Sequence, residues 1–467
     1  MKKDDQILKS RDDKGPIFFS RQAAVFGAEE SFTLTDGSVC SWLQDKDAAF
    51  GATKLRERIE PWLTALFQSE HFALLVGSGL SHAVHHIASG QNMPGMNTVK
   101  FAEFDGEITA AAKKSAEAAG RMSGNIEDQI RVASELLRGL EIIGDGTKEF
   151  GKRAAPLKDS LSHVLKDFAA SVLKGENGLI TAKAREREKA FNYLVSFLMS
   201  FASRTGTRDR LQIFTTNYDR YIEAGADVAG LHLLDRFVGS LLPVFRSSRL
   251  DVDMHYNPPG IRGEPRYLEG VAKFTKLHGS LDWVDAEKSI RRMALPFGAE
   301  SIDPYLKDPG LAGAEARQLM IYPNSAKDRE TAAYPYVELF RDFAAAVCRP
   351  NSTVICFGYS FGDDHINRVI EDMLTIPSTH LVVISHSDPL GRIMQMYEKM
   401  GRHAQITLLI GNHLGDLETL VDNYLPKPAI DRTTMRMSEL LKSRWSGGQP
   451  SGTSQDVPQN GKADDSQ

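Results

Sequence analysis

The chain has 467 residues, of which 42% are hydrophobic and 25% are charged, so it is long enough for about two or three domains with packed cores. Its 56 basic and 61 acidic residues give a net charge of −5, which provides no general excess of positive charge for a nucleic-acid backbone. The sequence contains no run of about 18 uncharged apolar residues, which is the length needed to span a membrane. The N-terminal residues also lack the apolar core of a signal peptide. These features predict a cytoplasmic protein without direct nucleic-acid or membrane binding.

The three cysteines are spaced neither as a disulfide framework nor as a zinc ribbon. They are Cys40, Cys348 and Cys356. This pattern predicts that Cys348 and Cys356 are core residues and that the protein has no structural zinc.

Residues 1–70 are predicted to form an N-terminal extension. After a polar start, the segment 17–32 is apolar and aromatic. Two interpretations of this segment are open: an edge strand of a sheet, which is favoured, and an arm used in oligomer contacts.

The apolar run that begins at Phe72 ends in a glycine-rich turn with Gly77 and Gly79. Such a turn between a strand and a helix lets backbone N–H groups approach a pyrophosphate, because glycine has no Cβ and the helix presents its positive end. His82 stands where the third glycine of the usual dinucleotide fingerprint would be. An ordinary tight turn after a buried strand is therefore the alternative.

A helical module is predicted between this turn and Asn217, at about residues 90–205. The roughly 130 intervening residues exceed the length of a simple βαβ crossover. Apolar residues recur at helical spacing in the segments 126–143, 157–173 and 182–201.

The second half of the chain alternates short apolar runs with helical segments. The runs are 211–215, 271–277, 319–323, 353–358, 380–385 and 405–410, and the later helical segments lie near 334–348, 364–375, 389–401 and 414–424. This alternation predicts an α/β fold with a doubly wound, parallel, Rossmann-like sheet, whose ligands bind beyond the carboxyl ends of the strands. Residues 426–467 are predicted to be a C-terminal extension that is disordered from about residue 446, because its composition is polar.

Four short motifs together resemble those of the sirtuin superfamily, and they occur in the same order as in that family. The glycine-rich opening is matched by Gly77-Ser78-Gly79-Leu80-Ser81, the Thr-Gln-Asn-Ile-Asp element by Thr215-Thr216-Asn217-Tyr218-Asp219, the His-Gly pair by His278-Gly279, and the Gly-Thr-Ser segment by Gly358-Tyr359-Ser360. The resemblance spans about residues 72–411 and implies an NAD-binding domain over residues 71–425.

The resemblance also implies that NAD+ is the substrate and assigns roles to the motif residues. The expected binding residues are Gly77, Ser78, Gly79, Ser81, Thr216, Gly358 and Ser360, with the glycine turn at the pyrophosphate and Gly358 and Ser360 closing the same site.

Three residues are predicted to carry the chemistry of breaking the nicotinamide–ribose bond. Asn217 has a donor and an acceptor at one tip, which suits the positioning of a water or a ribose hydroxyl. His278 is a candidate base near neutral pH. Asp219, by resemblance, would hydrogen-bond the nicotinamide carboxamide, with help from Ser81. Singly, Asn217 could instead be a strand-end cap and His278 a core histidine.

Two departures from the family favour one subgroup. Residues 284–319 contain no cysteine, whereas deacylase sirtuins generally have a four-cysteine zinc module there, and Tyr218 replaces a usual aliphatic residue. The sequence therefore resembles the bacterial sirtuin-like NAD-hydrolysing proteins of phage defence more than protein deacylases. A third departure, at residues 385–388, leaves recognition of the adenosine ribose open.

The favoured hypothesis is an NAD+ hydrolase that releases nicotinamide and ADP-ribose in antiviral defence by NAD depletion. The resemblance implies a homo-oligomer and a partner protein such as a HerA-type ATPase. The alternatives are an NAD-dependent protein deacylase and a non-hydrolysing NAD or ADP-ribose sensor subunit.

Two clusters have side chains that metals can bind, but both are weak candidates. They are His82, His85 and His86 at helical spacing, and Asp363, Asp364 and His365, which are well placed to cap a helix.

Overall fold

The structure is a computed structural model that describes residues 5–22, 30–35, 37–38, 40–43, 49–94, 97–118, 124–144, 148–204, 208–251, 253–256, 266–286, 289–311, 313–321 and 334–427. The chain divides into two units, Met1–Pro426 and Lys427–Gln467, and the fold is that of the first unit. The predicted C-terminal extension lies outside the described residues beyond residue 427, and so does its predicted disordered tail.

The strands of the described residues are, in chain order, β1 (Asp5–Lys9), β2 (Ile17–Arg21), β3 (Ser31–Leu34), β4 (Phe50–Gly51), β5 (His71–Val76), β6 (Gln212–Thr215), β7 (His232–Leu234), β8 (Phe237–Val238), β9 (Val244–Phe245), β10 (His255–Tyr256), β11 (Arg266–Tyr267), β12 (Val271–Lys276), β13 (Gly279–Ala286), β14 (Ser289–Arg292), β15 (Leu319–Ile321), β16 (Ser352–Phe357), β17 (His380–Ser385) and β18 (Ile406–Ile410).

Most of these strands form one 11-stranded sheet in the order β4-β3-β2-β1-β18-β17-β16-β5-β6-β12-β7. The strands from β18 to β7 in this order are parallel. From β5 the chain first adds strands on the β6 side and later adds strands on the β16 side, so the strand order reverses between β5 and β16. In an open α/β sheet a ligand crevice forms at such a reversal, beyond the carboxyl ends of the strands.

The α-helices of the described residues are α1 (Ala52–Leu66), α2 (Ser78–Ser89), α3 (Asp105–Ala118), α4 (Ile126–Gly144), α5 (Lys148–Ile180), α6 (Ala184–Ala202), α7 (Tyr221–Ala229), α8 (Asp303–Leu306), α9 (Tyr336–Val347), α10 (Asp364–Leu374), α11 (Arg392–Met400) and α12 (Leu417–Thr419). A π-helical turn, Leu420–Tyr424, follows α12.

The burial pattern of the central strands shows that helices cover both faces of the main sheet. Every residue of β5 is buried, as is typical of a strand covered on both faces. Phe72, Leu74 and Val76 pack into one core with α1, α2, α6 and α7, whereas Ala73 and Leu75 pack into a second core with α9, α10 and α11. This alternation follows the period of two in a strand. Helices therefore cover both faces, and the predicted α/β, doubly wound, Rossmann-like class is confirmed.

One edge of the sheet differs from the predicted parallel arrangement. β1 pairs antiparallel with β18, and β2, β3 and β4 continue the sheet in antiparallel pairs. The segment 17–32 supplies β2 and the start of β3. Only residues 10–16 separate β1 from β2, which is too short for the crossover of a dozen or more residues that a parallel pair needs. The sheet is therefore mixed, although mostly parallel.

Helices α3, α4 and α5 build a third core where a helical module is predicted. This core contains Ile108 of α3, Ile130 of α4 and Phe168 of α5, together with Tyr218 and Leu281 from the sheet domain. Helix α6 packs into the core of the main sheet instead. The inserted helices thus lie against the carboxyl ends of β6 and β12.

A second, smaller sheet has the order β15-β13-β14-β9-β8; β8 and β9 precede β12 in the chain, and the other three strands follow it. Neighbouring strands of this sheet pair antiparallel. On β13, Leu281 and Val284 join the core of the inserted helices and Trp283 joins the second core of the main sheet. Among the described residues of the cysteine-free region 284–319, only β14, the end of β13 and the first residue of β15 belong to this sheet.

Candidate active site

The carboxyl ends of β16, β5, β6 and β12 open into one cleft with a volume of about 420 Å³. Turns after these strands, the first turns of α2 and α10, and the inserted helices form its walls. The residues that line the cleft include Gly77, Ser78, Ser81, His82, Glu127, Phe168, Thr216, Asn217, Tyr218, Asp219, His278, Gly358, Ser360, Asp363, Asp364, His365, Arg368 and Arg392.

Two glycine-containing turns cross at the reversal point of the sheet. The N–H of Gly77 donates to Phe357 O at 2.9 Å, and the N–H of Gly79 donates to Gly358 O at 3.1 Å. A Cβ on Gly77 would lie 2.4 Å from Gly358 O, and a Cβ on Gly79 would lie 2.5 Å from Gly358 Cα. The contact between the two turns therefore requires glycine at both positions. The N–H groups of both glycines already donate hydrogen bonds to the other turn. Ser78, at the start of α2, lines the cleft between them.

Asn217 follows β6, and two hydrogen bonds fix its amide. Nδ2 donates to Gly77 O at 3.0 Å and to Ser81 Oγ at 2.9 Å. The backbone N–H of Asn217 donates to Thr215 Oγ1 at 3.1 Å. Because both amide hydrogens are used, Oδ1 is left to accept a hydrogen bond from a water or a hydroxyl.

Ser81 connects Asn217 to Asp219. Its Oγ accepts from Asn217 and donates to Asp219 Oδ2 at 2.8 Å, while Asp219 Oδ1 accepts from the Tyr221 N–H at 3.3 Å. Burial raises the pKa of Asp219, and the charge of Lys276 and the hydrogen bond from Ser81 oppose that rise. The three side chains form a connected polar chain along one wall of the cleft.

His278 follows β12 and contacts a carboxylate from the other half of the sheet. Its Nε2 lies 2.7 Å from Asp363 Oδ2. Asp363 is 3% exposed, and its Oδ1 accepts from the His365 N–H at 3.1 Å, which caps α10. From the sequence, Asp363 is predicted only to cap a helix, with metal binding as a weak alternative. Its contact with His278 joins residues 85 apart, and no local pattern indicates it.

Tyr218 links the histidine side of the cleft to the inserted helices. The centroid of its ring is 6.4 Å from that of His278 and 5.8 Å from that of Phe168. Its hydroxyl lies 3.5 Å from Glu127 Oε1, and burial raises its pKa well above the usual value. The sequence does not predict Phe168 and Glu127 as site residues, because helical periodicity does not indicate what a helix face will contact.

A buried ion pair holds α5 beside the site. Arg220 Nη2 donates to Glu176 Oε2 at 2.6 Å, and the backbone N–H of Arg220 donates to Glu176 Oε1 at 2.9 Å. Glu176 is 0% exposed and also accepts from the Gly298 N–H at 3.2 Å. Burial raises the pKa of Glu176, and the charge of Arg220 opposes the rise. Arg220 immediately follows Asp219, so this pair connects the inserted helix α5 to the loop that carries Asp219.

The wall formed by α10 and α11 carries two guanidinium groups, those of Arg368 and Arg392. Guanidinium groups bind phosphate oxygens in bidentate geometry. Residues 385–388, where the family's ribose-binding asparagine is not matched, do not line the cleft. Asp388 instead accepts from the Met394 N–H at 3.1 Å near the start of α11.

The structure brings all of the predicted site residues except Gly79 to the cleft. Those that line it are Gly77, Ser78, Ser81, Thr216, Asn217, Asp219, His278, Gly358 and Ser360. Gly79 instead packs against the Gly358 backbone.

The candidate histidine cluster does not converge on one point. His82 Nδ1 donates to Ser78 O at 2.9 Å, whereas His85 is buried with Nδ1 3.1 Å from Gly175 O. Burial lowers the pKa of His85. Across the part of the chain that the structure describes, no group of three or more His, Cys, Asp or Glu side chains could hold a metal ion. The absence of zinc stays a prediction.

The fold and the site define a Rossmann-like α/β protein with a polar cleft at the reversal point of its sheet. Residues 211–406 match the family model of the SIR2-like domain. This match confirms the resemblance to the sirtuin superfamily, and SIR2-like domains use NAD. The match begins beside β6 and does not include the glycine turn of residues 77–81. The curated proteins contain no match to the chain. No helix among the described residues is long and apolar enough to cross a membrane.

Proposed function

We propose that this protein hydrolyses NAD+ at the nicotinamide–ribose bond and releases nicotinamide and ADP-ribose. The observation that carries the proposal is that His278 and the Asn217–Ser81–Asp219 chain line one cleft of a SIR2-like domain. Rupture of this bond produces a cation-like ribose. The enzyme must therefore hold the ribose, bind the departing amide and direct a nucleophile.

The contacts of each side chain suit one of these tasks. Asn217 Oδ1 accepts from the attacking water or a ribose hydroxyl, because its Nδ2 is already held by Gly77 O and Ser81 Oγ. His278 accepts a proton as general base. Asp219 binds the carboxamide of the nicotinamide.

Water is the proposed acceptor of the ADP-ribosyl group. Residues 284–319 lack the cysteines of the zinc module found in deacylase sirtuins, and β14 in this region belongs to a small antiparallel sheet. Tyr218, with Phe168 beside it, occupies space next to His278 where the family usually has a smaller aliphatic residue.

We also propose that the activity serves antiviral defence by NAD depletion, on the basis of the resemblance to bacterial defence proteins. An NAD hydrolase that was always active would harm its own cell. The protein is therefore proposed to be an inactive cytoplasmic homo-oligomer until a trigger arrives, which a partner such as a HerA-type ATPase would deliver.

The test is nicotinamide release from NAD+ by the activated protein, compared with Asn217→Ala and His278→Ala at equal folded concentration. Each variant should lose activity by about 10²- to 10⁴-fold, the range typical of a lost general base. His163→Ala is the control, because His163 is exposed on α5 and does not line the cleft. Activity within about threefold of the parent in either site variant would remove that residue from the mechanism.

Two other outcomes would favour the alternatives. Formation of O-acetyl-ADP-ribose from an acetyl-lysine peptide, followed by mass spectrometry, would indicate a deacylase. Tight binding of NAD+ without nicotinamide release, in the protein with its partner, would indicate a sensor subunit.

A further inference from the structure

We infer that Asp363 is a positioning residue that fixes the tautomer of His278 and stabilises the imidazolium form during NAD+ cleavage; this inference rests on the proposed function. Asp363 Oδ2 lies 2.7 Å from His278 Nε2, and the Asp363 side chain is almost fully buried. A charge-assisted hydrogen bond of this length in a buried place is strong.

The direction of the hydrogen bond selects one nitrogen as the base. A carboxylate can only accept, so the hydrogen of this bond belongs to His278 Nε2. In the neutral ring, Nδ1 is then the unprotonated nitrogen and is the one able to take a proton. Asp363 thus assigns the two ring nitrogens to different tasks, in the way that the carboxylate of a Ser-His-Asp triad orients its histidine.

The proton balance of the step is simple. The glycosidic C–N bond breaks and its electron pair stays on the nicotinamide nitrogen, while the oxygen of water bonds to the ribose carbon. One water proton passes to His278 Nδ1 and later leaves to solvent. Between these events His278 is a cation, and the anionic Asp363 lowers the energy of that state.

Asp363 is itself held rigidly at the start of α10. Its Oδ1 accepts from the His365 N–H, and its backbone carbonyl accepts from the hydroxyl of Tyr359 at 3.2 Å. Tyr359 is buried and its hydroxyl also contacts Asn367 Oδ1 at 3.1 Å. One carboxylate oxygen therefore faces the helix and the other faces His278. The second half of the sheet in this way orients a base that the first half supplies.

The arrangement makes Asp363→Asn a selective test. Asparagine is as good a helix cap as aspartate, and the cap needs its oxygen toward the His365 N–H. The NH₂ group must then face His278, where it donates to Nε2 and moves the ring proton to Nδ1. The substitution keeps the cap but inverts the tautomer, which removes the base.

Two measurements on the full-length protein decide the inference. The ring-nitrogen NMR signals of histidine-labelled protein should show the Nε2–H tautomer of His278 in the parent and the Nδ1–H tautomer in Asp363→Asn; His278→Ala assigns the signal. In activated protein, kcat for nicotinamide release should fall by at least about tenfold, and the same change in a triad costs about 10⁴-fold. KM for NAD+ should stay within about twofold.

The matched control is Asp416→Asn. Asp416 caps α12 by accepting from the Thr419 N–H at 2.9 Å and does not line the cleft, so the same exchange there should leave tautomer and kcat unchanged. An unchanged tautomer of His278 in Asp363→Asn, or kcat within about threefold of the parent, would overturn the inference. If the parent itself releases no nicotinamide, the proposed function fails, while the NMR result still tests the tautomer.

Discussion

Gly358 is the residue on which the geometry of the candidate site depends most directly. It has φ of +62°, and its ideal Cβ position lies 2.5 Å from Gly79 Cα. Gly358→Ala should therefore cost about 1–2 kcal/mol for the left-handed backbone and a further ~1–3 kcal/mol for crowding against Gly79. Both changes act where the two turns meet, so nicotinamide release should fall as well.

A matched glycine separates the two costs in this prediction. Gly401 has φ of +59°, but an added Cβ would meet no atom within 4 Å. Gly401→Ala should show only the backbone cost, measured as the free energy of unfolding in urea. Equal losses in the two variants would indicate that the turn contact has no influence on stability.

At the scale of residues, the sequence indicates which motifs meet at the cleft but not the contacts between them. The motifs around Gly77, Asn217, His278 and Gly358 follow apolar strands, and parallel strands bring such ends to one edge. The glycines, however, are predicted to admit a pyrophosphate, whereas the structure uses Gly77 and Gly79 to admit the backbone of Gly358. The local sequence of a turn does not indicate which distant turn it will contact.

Among the elements, α5 depends on the buried pair of Glu176 and Arg220. Breaking a buried pair by removing one partner costs about 3–5 kcal/mol, because the other charge stays buried. Arg220→Met should lower the free energy of unfolding by this amount and loosen the insert beside Asp219. The double variant Arg220→Met/Glu176→Leu should be less destabilised than Arg220→Met, because it no longer buries an unpaired Glu176 carboxylate.

A surface pair provides the control for this prediction. Lys189 Nζ lies 2.7 Å from Glu418 Oε1, with side-chain exposures of 46% and 32%. Lys189→Met should change stability by less than ~1 kcal/mol. The measurement is the free energy of unfolding, from chemical denaturation of the parent, Arg220→Met, the double variant and Lys189→Met. A small effect of Arg220→Met would show that the buried pair does not hold the insert.

The bounds of the helices show what periodicity can predict for an element. The segments 126–143 and 182–201 agree closely with α4 and α6, since both have a clear apolar stripe. Helix α5 extends from Lys148 to Ile180, beyond both ends of the predicted segment 157–173, and Pro156 lies inside it. Helix α3 is not predicted, since its buried face consists mainly of alanines. In the small sheet, β8 and β9 have two residues each, which is too few to give a pattern.

At the scale of the whole molecule, the N-terminal strands complete the main sheet. β1 covers the edge of β18, and Lys9 Nζ donates to Ile406 O at 2.9 Å. Gln6 Oε1 accepts from the N–H groups of His413 and Leu414. Beyond them, Phe19, Phe32 and Phe50 form a cluster of rings with centroids 5.4 to 5.9 Å apart. The sequence predicts an edge strand within residues 17–32 but not β1, whose partner strand β18 lies about 400 residues away, and no local signal could identify that partner.

Deleting the two ends of the chain should therefore have opposite results. Removal of residues 1–51 exposes the hydrogen-bonding edge of β18 and apolar side chains of the main core, so the truncated protein should lose cooperative unfolding or aggregate. Removal of residues 447–467 should leave the melting temperature and NAD+ binding unchanged, because that polar segment has too little apolar surface to offset the entropy of ordering it. Thermal unfolding by circular dichroism, with size-exclusion chromatography, compares both with the parent. An unchanged melting temperature without the first 51 residues would show that the sheet is complete at β18. A large decrease without the last 21 would instead show that the tail binds the folded body.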